Sequence, residues 1–185
     1  EYMIKLVVSG SRYSFYLLFI MVIPILFETE YVLTLWLRNV PEYTVVFVQL
    51  SLIYMLCQSL SNTLFTAMLA TGNIRNYQIV VGGLALMAFP LSYALFKMGF
   101  APSYCYYISI FISVSCLIAR LVMLQRMIGL PMRIFLKDVV LRVLFVSILS
   151  LVIPCLIINL MPQGFVRLMV LSFVSLMTIS IVILY

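Results

Sequence analysis

YQIVVGGLALMAFPLSYALF, from Tyr77 to Phe96, carries no charged side chain along its whole length. A helix crossing the hydrocarbon core of a bilayer needs about 20 predominantly apolar residues, and this stretch meets that need unaided. Its apolar residues run on instead of recurring every third or fourth position, so it has no water-facing side to offer. The same reading extended outward finds spans at about Tyr13–Phe27, Tyr43–Leu69, Tyr104–Leu124, Val139–Leu160 and Phe165–Tyr185. The predicted fold is all-α: a polytopic membrane bundle of about six transmembrane helices over residues 13–185, preceded by a connection over residues 1–12.

Composition agrees. The 185 residues are 66% hydrophobic and 9% charged, whereas a soluble domain is about a quarter charged. Too few charges remain to cover a surface facing water. The net charge of +6 points to nucleic acid in a soluble protein. Here the charges fall at the ends of apolar runs, where they set orientation in the bilayer, and no nucleic-acid partner is expected.

Each boundary has a breaker. Pro41 stands where the second span opens, Gly72 closes it, and Gly99 with Pro102 turns the chain between the third and fourth. Gly129-Leu130-Pro131 and Met161-Pro162-Gln163-Gly164 do the same further on. Tyr31 and Trp36 in the short segment after Glu30 suit the headgroup level, with Glu28 and Glu30 at the interface. Pro24, Pro90 and Pro154 recur at near-equal intervals inside the first, third and fifth spans. The pattern reads as repeated hairpins with a kink in each outgoing helix. Gly82-Gly83 is expected to admit a close neighbouring helix.

With the N-terminus in the cytoplasm, that side collects Lys5, Arg12, Arg75, Arg120, Arg126, Arg133, Lys137 and Arg142. The far side receives Arg38, Lys97 and Arg167, so this orientation satisfies the positive-inside rule. The chain opens on Glu1 and closes on Tyr185 at the end of an apolar run, which reads as a piece of a longer protein.

Nothing in the sequence supplies an active site. There is no histidine, no CxxC pair among Cys57, Cys105, Cys116 and Cys155, no phosphate-binding glycine loop and no pair of carboxylates within a span. No enzyme activity, metal or cofactor is expected. Asp138, the only aspartate, sits in the basic loop beside Lys137 and is expected to form an ion pair or to serve a helix N-terminus. The polar residues within spans are more informative. Ser51, Gln58 and Asn62 are spaced for one face of the second helix, and Arg75, Asn76 and Gln78 open the third. Such residues line a water-filled cavity or bond helix to helix. Arg120, near the basic end of the fourth, is expected to anchor there by snorkelling or to meet an anionic lipid headgroup. Ser51, Gln58, Asn62, Arg75, Gln78 and Arg120 are the candidate substrate-binding residues.

The stretch PILFETEYVLTLWLRNVPEYTVVFVQLSLI, Pro24 to Ile53, resembles the Wzx-type polysaccharide flippases of the multidrug/oligosaccharidyl-lipid/polysaccharide exporter superfamily. Further resemblance lies in Ala70-Thr71-Gly72-Asn73-Ile74-Arg75 and in Phe89-Pro90-Leu91-Ser92-Tyr93 followed by Lys97-Met98-Gly99. It extends from the start of the chain to about Lys137. The resemblance implies part of the C-terminal lobe of a MATE-like transporter, with the N-terminal part of the same transporter as its partner. It further implies an inner-membrane flippase that moves lipid-linked oligosaccharide by alternating access, among membrane lipids. Arg75 is then the first candidate to meet the diphosphate. The alternatives are a multidrug or small-molecule exporter of the same superfamily, and a non-transporting membrane subunit.

Overall fold

A computed structural model describes the backbone of residues 2–37, 39–72 and 74–184, with side chains for these except residues 159 and 181–184. Glu1, Arg38, Asn73 and Tyr185, named above, lie outside the described residues. All regular structure among the described residues is helical. The first span is α1, Tyr2–Phe27, followed by a short α2, Thr29–Trp36. Then come α3, Thr44–Ala70; α4, Ile74–Leu86; α5, Ala88–Lys97; and α6, Tyr104–Ile128. A short α7, Met132–Phe135, leads through a π-helical turn, Leu136–Leu141, into α8, Arg142–Leu160, and α9, Phe165–Leu184, closes the chain.

Five segments are long and apolar enough to cross a membrane: Tyr2–Phe27, Thr44–Ala70, Ile74–Lys97, Tyr104–Ile128 and Met132–Ile158. A sixth apolar helix, α9, follows and is apolar through Ser180. Helix α1 begins well before Tyr13, because Ser9-Gly10-Ser11 continues the helix rather than breaking it. Of the three internal prolines, Pro24 and Pro154 sit within unbroken helices, while near Pro90 the helix parts at Met87. The helices end where their breakers stand. Gly129, at φ 68°, takes the left-handed conformation that closes α6, and a side chain there would be strained. Tyr43 adopts the same region at φ 68° just before α3.

Helix α1 is the centre of the bundle. It packs against α3 on one flank and α9 on the other, and also touches the π turn and α8. Helix α6 packs on α3, and α4 and α5 pack on α6. Apolar driving force is weak between helices surrounded by lipid, so close packing and hydrogen bonds decide which faces meet. Gly10 is the closest approach: a Cβ there would stand 3.0 Å from the Thr63 methyl carbon. Ser11 and Thr63 share a hydrogen bond between their hydroxyls at the same crossing. Gly82-Gly83 does not take the packing role expected of it. Added Cβ atoms there would meet only Gln78 of the same helix, or nothing within 4 Å, because that face of α4 has no partner among the described residues.

Three contacts set the α4–α5 against α6 register: Arg120 with Tyr77, Cys116 with Val81, and Cys105 with Ser92. They step down one antiparallel pairing that runs through the break at Met87. The α1–α9 pairing is equally regular. Pro24 has no N–H to offer the Ile20 carbonyl, and Ser175 of α9 donates to that oxygen at 3.4 Å. Two turns further along both helices, Arg167 donates to the carboxylate of Glu28. Large apolar side chains such as Leu86, Phe89, Phe145 and Phe173 are exposed around the outside, as lipid contact requires.

Candidate functional site

Chain direction assigns the charges to two ends. Lys5, Arg12, Arg75, Arg120, Arg126, Arg133, Lys137 and Arg142 lie toward the end where α1 and α4 begin and α3 and α6 finish. This is the basic end. Glu28, Glu30, Glu42, Lys97 and Arg167 lie toward the other, the acidic end. Most of these charges are exposed. Asp138 does form an ion pair, with Arg142 at 3.6 Å, one helical turn away.

Arg120 is held by neighbouring helices at the basic end. It lies on α6 eight residues before the helix ends, about 12 Å inward at 1.5 Å per residue. Its Nε donates to the Tyr77 hydroxyl of α4 at 3.0 Å. Its guanidinium carbon is 5.9 Å from the Tyr77 ring centre and 6.0 Å from that of Phe65 on α3. These distances are at the outer limit for cation–π attraction, so the hydrogen bond does most of the positioning. The two rings are themselves 5.9 Å apart. Three helices thus place one half-buried guanidinium, and its terminal NH2 groups meet no protein acceptor among the described residues. A planar group held in this way is set up to bind an oxyanion with two parallel hydrogen bonds.

The other candidates scatter around it. Ser51, Gln58 and Asn62 share the expected face of α3, but Ser51 donates to its own helix at Val48, 2.8 Å away. Gln58 donates to Tyr54 at 2.7 Å, also within α3. Asn62 is exposed, one turn from Phe65. Arg75 and Gln78 are exposed on α4, on either side of buried Tyr77. Only Arg120 is gripped by other helices; Ser51 and Gln58 bond within α3.

Beside Asn62, on the α1 side of α3, an open groove of about 660 Å³ runs between the first turns of α1 and the last turns of α3. Lys5, Ser9, Gly10, Thr63 and Thr66 line part of it, and the rest is apolar. Helical geometry puts Asn62 and Thr66 on the strip of α3 between this groove and Phe65. The basic end therefore offers a cation, a polar strip and an apolar furrow in succession around α3.

Sequence reading missed Tyr77 as the partner of Arg120, and it missed the ion pair of Glu28 with Arg167 altogether. Glu28 is 1% exposed and Arg167 5%, so Glu28 is buried among helices. One signal was available: a lone acid closing one span and a lone arginine opening another at the same end. Among the described residues no three His, Cys, Asp or Glu side chains gather as a metal ion would need. No family model matches the chain, and neither a curated protein nor a solved structure matches it.

Proposed function

We propose that this multi-pass membrane chain works as the C-terminal part of a flippase that carries lipid-linked oligosaccharide across the bacterial inner membrane. The observation that carries the reading is Arg120, fixed by Tyr77 and set beside Phe65, with terminal NH2 groups that meet no protein acceptor among the described residues. A sugar headgroup cannot cross hydrocarbon with its hydroxyls unpaired. A cavity that opens to each side in turn removes that barrier, while the lipid tail stays in the bilayer. In this mechanism the Arg120 guanidinium binds the diphosphate that joins sugar to lipid, and Arg75 and Gln78 meet it nearer the surface. The basic end faces the cytoplasm, where the loaded lipid is made, in keeping with the excess of Lys and Arg there.

An exporter of cationic drugs needs an acid free to exchange its counter-ion. The buried acid among the described residues, Glu28, is bonded to Arg167, which favours the flippase. The test is the complete protein in liposomes that contain a polyprenyl diphosphate oligosaccharide labelled with a dithionite-quenchable dye on its sugar. Quenching of the label beyond the outer-leaflet half is the expected result. Arg120→Ala should slow it about tenfold or more, the worth of one charge-assisted hydrogen bond. Quenching that stops at the same half with and without protein would refute the assignment. An unaltered rate in Arg120→Ala would remove Arg120 from the site.

A further inference from the structure

Arg167 does more than neutralise Glu28. It lies in the first turn of α9, reaches the junction of α1 and α2, and also donates from Nη1 to the Met161 carbonyl at 3.0 Å. Met161 is the residue that ends α8. One guanidinium therefore ties three segments together at the acidic end. Both charges are buried, yet Oε2 of Glu28 has no hydrogen-bond partner among the described residues. A buried pair with an unmet oxygen is a poor permanent brace, since desolvation offsets much of its attraction. Water reaching either charge would lower that desolvation cost and let the two separate.

The parts it joins have the form of an arm. Helices α8 and α9 pack on each other, and their substantial contacts with the rest of the bundle go to α1. At the basic end the arm is rooted, because Leu130, Phe135 and Val139 are fully buried. Just there, Leu136–Leu141 winds as a π turn. Such turns interrupt the regular backbone ladder and mark places where helices bend. At the acidic end the polar ties between α9 and α1 are the ion pair and, two turns away, the bond from Ser175 to Ile20.

We infer that the α8–α9 hairpin is a hinged arm, rooted at the π turn and clasped to α1 by Glu28 and Arg167. Parting the clasp swings the acidic end of α9 away from α1 and opens a path between them. This goes beyond the flippase reading and does not depend on it, because the clasp acts whatever the bundle carries.

The experiment is a distance measurement by pulsed electron resonance on the chain in lipid nanodiscs. Spin labels replace Met21 in α1 and Met169 in α9, which are 70% and 55% exposed. Cys57, Cys105, Cys116 and Cys155 are changed to Ala. The unaltered clasp should give one short distance. Glu28→Gln leaves a buried arginine unpaired and should move about half the molecules or more to a longer distance. Glu28→Leu with Arg167→Leu leaves no charge to hydrate and should give the short distance alone. A Glu28→Gln distribution that superimposes on the parent overturns the clasp, as does a double variant that opens equally far. Arg167→Gln removes the cation and leaves Glu28 as a buried unpaired charge. It provides the same reading if Glu28→Gln fails to fold: a longer population is expected, and an unchanged distribution overturns the inference.

Discussion

Adding one carbon at Gly10 tests whether the α1–α3 crossing is as tight as its geometry requires. An alanine in place of a mid-helix glycine ordinarily stabilises by about 0.5–1 kcal/mol, because less backbone entropy is lost. Here the new Cβ would stand 3.0 Å from the Thr63 Cγ2 atom, where carbon atoms prefer about 3.5–4.0 Å. Thr63 cannot simply rotate away, because its hydroxyl is bonded to Ser11. Overpacking costs about 1–3 kcal/mol, with a single carbon at the low end, and losing an interhelical hydrogen bond adds about 0.6 kcal/mol. The sum makes Gly10→Ala destabilising by about 1 kcal/mol despite its better helix propensity. Thr63→Ser removes the obstructing methyl and keeps the hydroxyl. The double variant should therefore recover about 1 kcal/mol relative to the sum of the two single variants. Equilibrium unfolding by denaturing detergent, followed by circular dichroism in mixed micelles, measures all four corners of the cycle. If Gly10→Ala proves more stable than the parent, or the coupling falls below about 0.3 kcal/mol, the crossing is looser than described.

Ser175→Ala should cost about 0.6 kcal/mol in the same assay by leaving the Ile20 carbonyl without its α9 donor. In a Pro24→Ala background that cost should vanish, because residue 24 regains the N–H that serves Ile20. Asp138→Asn should change stability by less than about 0.5 kcal/mol, since the pair with Arg142 is exposed and screened. Arg120→Lys keeps the charge but loses the bond to Tyr77 and the planar fork. Binding of vesicles containing a polyprenyl diphosphate should weaken about tenfold, while binding to vesicles of phosphatidylglycerol alone, which senses only net charge, should be unaltered.

The helices and their limits were legible in the sequence because each depends on local facts. An uncharged run of sufficient length makes a span; Pro41 stands where one opens, and Gly72, Gly99 and Gly129 close runs where the backbone requires a turn. The start of α1 was less legible, since Ser9-Gly10-Ser11 has the composition of a break and is used for packing. The division of charge between two ends was also readable, because it follows from counting spans. Of the candidate residues, Arg120 could be named from the sequence, but its grip by Tyr77 and its place beside Phe65 could not. The same holds for Glu28 with Arg167, Ser11 with Thr63, and Ser175 with Ile20. These partners are far apart in the chain and joined only by how the helices stand against one another. In water, an apolar stripe tells which side of a helix turns inward. In lipid the outer and inner faces are equally apolar, so that signal is absent, and the partner of each face is chosen by close packing and by polar groups that must find one another.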